Sequence, residues 1–417
     1  MIKGMLNKSQ FLILILLSGA VNVSSQVLSE FRGIRRTGVY NESNLLKQWP
    51  REGPRMLWQI ESLPKGNSSV SIAHGMIFTT GIKDDKDILI AMDMKGGIIW
   101  ETPYGRAWTD SYSESRCTPT IDGDLIYVSS GYGDLACVDA HSGKIKWYRK
   151  ASEELLGVYG RWGLAESLLI SGNRVFFTPG GGKTTTIALD KTNGQTVWLS
   201  ESLNDEPSYT SPIIVNRGGK DILINVTLKY IFGIWTDNGK ILWRFDFASY
   251  LDRGSININT PLYYDGYLFV TSGYNHKSVM LKLSDDGLSV SRVWVDEVLD
   301  VHHGGVVKVD NFIYGSNWLH NTMGKWVCLD WKTGKVMYEK EWINKGSIIA
   351  AEGMLYCYEE KTGNIALVKA SPEDFTVISS FKINKGSGPH WSHPVIKDGI
   401  LYVRHGEALM AYSIKSK

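Results

Sequence analysis

The chain has 417 residues, 43% hydrophobic and 21% charged, with a net charge of +2. That is the profile of a globular protein too long for one compact core, so two domains or one closed repeat array are the natural organisations. There is no basic excess of the kind that draws a protein to nucleic acid, and the 43 glycines and 11% aromatic content point to many tight turns and strands, hence an all-β fold.

At the N-terminus, Lys3 and Lys8 precede an apolar run over 11–17, followed by small and polar residues up to Ser25. This layout predicts a secretory signal peptide over 1–25. The run is well short of the ~20 residues a helix needs to cross a bilayer. No cysteine follows it to carry a lipid, and the mature chain offers no other transmembrane candidate. The expectation is an exported, soluble protein, periplasmic in a cell with an outer membrane and extracellular otherwise. Residues 26–54 read as a lead-in and 55–417 as one domain.

The repeat unit is clearest from Cys117 to Lys150. Short strands end at Ile121, run over 125–129 and 135–139, and finish over 145–149 around Trp147; Asp122-Gly123 and Ser142-Gly143 turn the chain between them. Glycine suits these hairpins because it takes positive φ without penalty. The first turn recurs eight times: His74-Gly75, Asp122-Gly123, Gly172-Asn173, Gly218-Gly219, Asp265-Gly266, Asp310-Asn311, Glu352-Gly353 and Asp398-Gly399. An outer-strand aromatic follows at Trp58, Trp100, Trp147, Trp198, Trp243, Trp294 and Tyr338, at intervals of 42 to 51 residues. That period fits four-stranded propeller blades of about 40–50 residues. The eighth unit lacks an outer strand of its own, whereas Arg55 to Glu61 precedes the first inner strand. The expected architecture is an eight-bladed β-propeller of four-stranded antiparallel blades, the last blade closed by the N-terminal strand. Cys117, Cys137, Cys328 and Cys357 stand singly and read as buried strand residues.

Ala188-Leu189-Asp190…Gly194…Trp198, Cys137-Val138-Asp139…Gly143-Lys144…Trp147 and Cys328…Asp330…Gly334-Lys335…Tyr338 resemble the docking motif of quinoprotein dehydrogenases and BamB-like propellers, the pyrroloquinoline-quinone (PQQ)-like repeat. Phe31-Arg32-Gly33…Gly38, Leu45-Leu46-Lys47-Gln48-Trp49-Pro50, His302-His303-Gly304-Gly305 and Trp391-Ser392-His393-Pro394 look like an exported subgroup labelled BamB-like or polyvinyl-alcohol-dehydrogenase-like. The resemblance implies the fold. It leaves two roles open: a non-catalytic binding or scaffold protein for an envelope protein partner or a polar or saccharide ligand, and a PQQ-dependent alcohol or sugar dehydrogenase.

Loops leading into the inner strands of a propeller converge on one mouth of its axial channel. They bring the candidate ligand residues Arg116, Trp162, Glu166, Tyr209, Asn257, His302, His303, Trp391 and His393 to that mouth, a concave aromatic and polar setting suited to a small ligand. No catalytic residue is assigned. The cofactor expectation is none: the adjacent cysteine pair that faces PQQ in the dehydrogenases is absent, and Glu166, Asn257 and Asp300 form no recognisable set to hold its Ca²⁺ and supply a base. No metal site is expected either, because His302 and His303, if on a strand, point to opposite faces, and blade seven separates them from His390 and His393. Gly180-Gly181-Gly182-Lys183-Thr184 joins two strands and is read as a hairpin turn, not a phosphate loop.

Overall fold

The computed structural model describes residue 1, residues 28–250 and residues 256–416, so the predicted signal peptide lies almost wholly outside the described residues. Blade two shows how the sequence makes a sheet. Leu125–Ser129 and Leu135–Asp139 pair antiparallel from Leu135↔Ser129 to Asp139↔Leu125, and both are apolar on both faces because a neighbouring blade covers each side. The outer strand Ile145–Arg149 buries only Trp147 and leaves its other residues exposed or half-exposed.

Eight such sheets follow in chain order. Blade one runs from Ser71–Ala73 to Ile98–Arg106, and blade seven from Gly346–Ala351 to Val377–Lys382. Blade eight combines Val395–Lys397, Ile400–His405 and Ala408–Ser413 with Arg55–Ile60 from the other end of the chain. The closing register runs from Arg55↔Ser413 to Ile60↔Leu409. The ring is therefore fastened by hydrogen bonds between its two ends, which removes the exposed edges an open array would present.

Neighbouring blades lock at the rim. The indoles of Trp147 and Trp198 lie over the turn glycines of the next blade, Gly194 and Gly239, so close that a β-carbon there would come within 2.8 Å and 2.6 Å of the ring. Each indole N–H donates to a backbone carbonyl of that blade, Lys191 at 2.9 Å and Thr236 at 2.8 Å. Trp58, on the closing strand, repeats the contact over Gly96 and donates to Met94 O at 2.8 Å. Trp100 over Gly143 and Trp294 over Gly334 repeat the ring-on-glycine contact, and Trp294 donates to Trp331 O at 3.3 Å whereas the Trp100 indole N–H has no partner among the described residues. Other junctions depart. Gly287 of blade five faces Ile222 and Arg217 instead of Trp243, and Tyr338 meets Phe375, with ring centroids 6.5 Å apart. All four cysteines are free and buried.

The lead-in does more than close the ring. Leu28–Ser29 pairs antiparallel with the inner strand of blade two, and Val39–Tyr40 pairs parallel with that of blade seven, giving those two sheets a fifth strand. The residues between these anchors cross the axis.

Candidate functional site

The loops entering the inner strands and the turns between second and third strands open on one face and surround a cavity of about 460 Å³ at the axis. Phe31 and Arg32 of the lead-in line it from within the ring. Arg32 is buried, and its guanidinium donates to Val306 O at 2.6 Å, Gly304 O at 3.4 Å, Ile348 O at 3.3 Å and His393 Nδ1 at 2.7 Å. Gly38 and Gly305 flank it, and a side chain on either would collide with it. Burial lowers the Arg32 pKa only to about 10, so the cation persists at neutral pH. Arg36 ties the same segment to the opposite wall through Ser167 O and Leu168 O. Three of the four subgroup stretches thus meet at one guanidinium, and the fourth seats Trp49 between Tyr356 and Phe381 of blade seven.

Of the expected mouth residues, Arg116, Trp162, Tyr209, His302, His303, Trp391 and His393 line the cavity. Glu166 and Asn257 do not. Ala165 and Ser167 line it, as do Ile256 and Ile258, and in extended chain the residue between two such positions faces the other way. Glu166 accepts from Thr178 N at 3.2 Å, and burial raises its pKa to about 8. The Asn257 amide donates to Thr227 O at 2.7 Å and Leu228 O at 3.2 Å. Asp300 also stands off the cavity wall, accepting from Asn275 N and Trp318 N, with its pKa raised by burial to about 7. Glu166, Asn257 and Asp300 therefore do not converge on a common point in the cavity, and these three do not form a Ca²⁺ site there.

The cavity wall is aromatic. Trp162 meets Tyr209 edge-on at 5.8 Å, Tyr112 lies 5.2 Å from Trp391, and the His303 ring leans against Trp391 at 4.6 Å, tilted by 42°. Arg116 is held by Ser111 O and Tyr112 O, and Asn67 and Asn321 add amides. Tyr274, Asn321 and Glu360 come from turns between second and third strands, a loop class that the expectation did not include although it opens on the same face.

The histidines correct the expected geometry. Residues 302–304 form a bend, not a strand, so the two-residue alternation does not apply and the His302 and His303 rings lie 3.6 Å apart. Together with Glu360 they form a group whose potential ligand atoms all lie within 4.8 Å of one another. Glu360 also pairs with Lys345, and its other oxygen is 3.8 Å from His303 Nδ1. His393 stays apart: its Nδ1 accepts from Arg32, so Nε2 carries the proton and donates to His303 O at 2.9 Å. His390 is sequestered behind Tyr358 and stacked on His405.

Fold and site define an eight-bladed propeller with a built cavity on its axis, lined in part by its own lead-in. The family profile described as outer membrane protein assembly factor BamB matches residues 84–366, and the chain belongs to that family. It is 22% identical over 182 residues to outer membrane protein assembly factor BamB of Salmonella typhimurium, a match covering 43% of this chain and 42% of the relative's length. Among solved structures, BamB from Moraxella catarrhalis superposes with a TM-score of 0.62 at 16% identity, covering 86% of this chain and 99% of that one. A europium-containing methanol dehydrogenase superposes with a TM-score of 0.66 at 11% identity, covering 89% and 88%. At such identities the structural likeness concerns the fold. Among the described residues no helix is long and apolar enough to cross a membrane.

Proposed function

We propose that this chain is an exported, non-catalytic binding protein whose axial cavity takes a small polar ligand of saccharide type. The observation that supports the reading is the cavity itself: about 460 Å³, walled by Tyr112, Trp162, Tyr209 and Trp391, with Arg116, Asn67 and Asn321 among them. Aromatic faces accept the C–H face of a sugar ring, and the guanidinium and amides meet its hydroxyls. The buried Arg32 anchor fixes the lead-in against the cavity, which favours holding a ligand over passing it through the ring. Tryptophan emission titrated against a panel of mono- and disaccharides and polyols is expected to show saturable binding by at least one of them. Trp391→Ala and Arg116→Ala are each expected to weaken it tenfold or more, about 1.4 kcal/mol. Turnover of an alcohol panel with added PQQ and Ca²⁺, read by reduction of an artificial electron acceptor, would replace this reading with the oxidoreductase.

Family membership and the surface favour a second role on the same face, holding an envelope protein partner. Leu156, Tyr159, Met323 and Ile343 are exposed on loops of the cavity face, where a protein partner would cover apolar side chains of this kind. Crosslinking in envelope extracts, weakened by Leu156→Asp or Ile343→Asp, tests it; crosslinks unchanged by both substitutions would remove it.

A further inference from the structure

We propose that His302, His303 and Glu360 form a binding site for a transition-metal ion of the zinc class on the wall of the axial cavity, with its open coordination position facing that cavity. The site goes beyond the ligand reading above and does not depend on it, because metal binding is measured with no cavity ligand present.

Four observations converge. First, two imidazoles and a carboxylate, the donor types zinc takes in sites that keep an open position, have ligand atoms within 4.8 Å of one another. Tetrahedral donors around zinc sit about 3.4 Å apart at bond lengths near 2.0–2.1 Å, so small side-chain rotations close the set. Second, His302 is only 7% exposed, and its Nδ1 has no hydrogen-bond partner. A buried polar atom without a partner calls for an explanation, and an unplaced ion is one. Third, the remaining contacts of the group are those of metal ligands oriented by their neighbours. His302 Nε2 is held by the Tyr274 hydroxyl at 2.8 Å, leaving Nδ1 as its free donor. One Glu360 oxygen is taken by Lys345, whose ammonium is in turn fixed by Asn321 O at 2.9 Å, while the other faces His303 Nδ1. His303 Nδ1 also lacks a hydrogen bond, and its backbone carbonyl is braced by His393. Fourth, all three residues line the cavity, so water or an oxygen of a cavity ligand can complete the coordination.

A second group, His74, Asp124 and His141, is exposed, and its imidazole Nε2 atoms already engage Gly123 O and Asp124. It serves as the control. The full mature chain, stripped with chelator, would be titrated with Zn²⁺ by calorimetry and with Co²⁺ by visible absorption. One ion per chain is expected, with the intense d–d bands of a four-coordinate Co²⁺ site. His303→Ala and Glu360→Gln are each expected to weaken binding about tenfold or more and to abolish those bands, while His74→Ala/His141→Ala leaves both unchanged. Glu360→Gln keeps the shape of the side chain, and a circular dichroism melt shows whether either variant remains folded. The absence of stoichiometric binding, or binding that survives both cavity variants and vanishes in the His74/His141 double variant, would overturn the proposal.

Discussion

At the rim, Trp58, Trp100, Trp147, Trp198 and Trp294 each lay an indole over the turn glycine of the following blade. At the axis the blades share no common side chain: blade two brings Arg116, blade three Trp162, blade four Tyr209, blade six the two histidines and blade eight Trp391. Both regions are built from the same repeat by the same strands. The rim repeats because each junction has the same task, burying two apolar sheet faces against each other, and five of them solve it with the same contact. The axis does not repeat because eight loops meet there once, around one cavity. Departure from the repeat is what marks the residues free to serve a ligand.

The comparison breaks first where one segment serves both regions. Removing residues 28–62 deletes the closing strand and the Arg32 anchor together. It is expected to abolish cooperative unfolding and to cause aggregation through the unpaired edge of blade eight, as light scattering and a thermal melt would show. A variant that stayed monomeric with an unchanged melt would mean that the ring needs no such fastening.

Next in size are the rim contacts. Trp147→Ala or Trp198→Ala is expected to cost roughly 3–5 kcal/mol in denaturant unfolding, the range for truncating a buried aromatic side chain. A cost below about 1 kcal/mol, typical of surface sites, would remove the wedge role.

Buried carboxyl groups give a third, pH-dependent effect. Burial raises the pKa of Glu166 to about 8 and those of Asp87 and Asp300 to about 7. A carboxyl group with a folded-state pKa above its unfolded value binds its proton more tightly in the folded protein. Its contribution is therefore complete below the unfolded value and is lost as pH rises through the folded one. Unfolding free energy should fall between about pH 4.5 and 8. Glu166→Gln is expected to flatten that fall by on the order of 2–4 kcal/mol, measured by urea titrations across the range. A pH profile the same as that of the wild type would show that Glu166 ionises freely.

The smallest effect sharpens the rim argument. Gly194 and Gly123 both have positive φ, but a β-carbon at Gly194 meets Trp147 whereas one at Gly123 meets nothing within 4 Å. Gly123→Ala is expected to cost about 1 kcal/mol from backbone strain alone, and Gly194→Ala 1–3 kcal/mol more from overpacking (roughly). Equal costs would show that the turn conformation, and not the indole, selects glycine.

The blade count, the turns, the outer-strand tryptophans and the pairing of Arg55–Ile60 with Ala408–Ser413 were all legible in the chain, because strand alternation and turn glycines act over a few residues and repeat eight times. The cavity was legible only in part. Arg116, Trp162, Tyr209 and Trp391 could be placed from loop position, but whether a residue such as Glu166 or Asn257 faces the axis depends on the phase of two-residue alternation in an extended loop, which loop position alone does not set. The bend at 302–304, which turns two histidines the alternation would have parted onto one point, is fixed by contacts from distant segments: His393 on the carbonyl of His303 and Arg32 on that of Gly304. Local chemistry determined the blades. Only the closed ring, by drawing eight loops and the lead-in onto one axis, decided which side chains share the cavity.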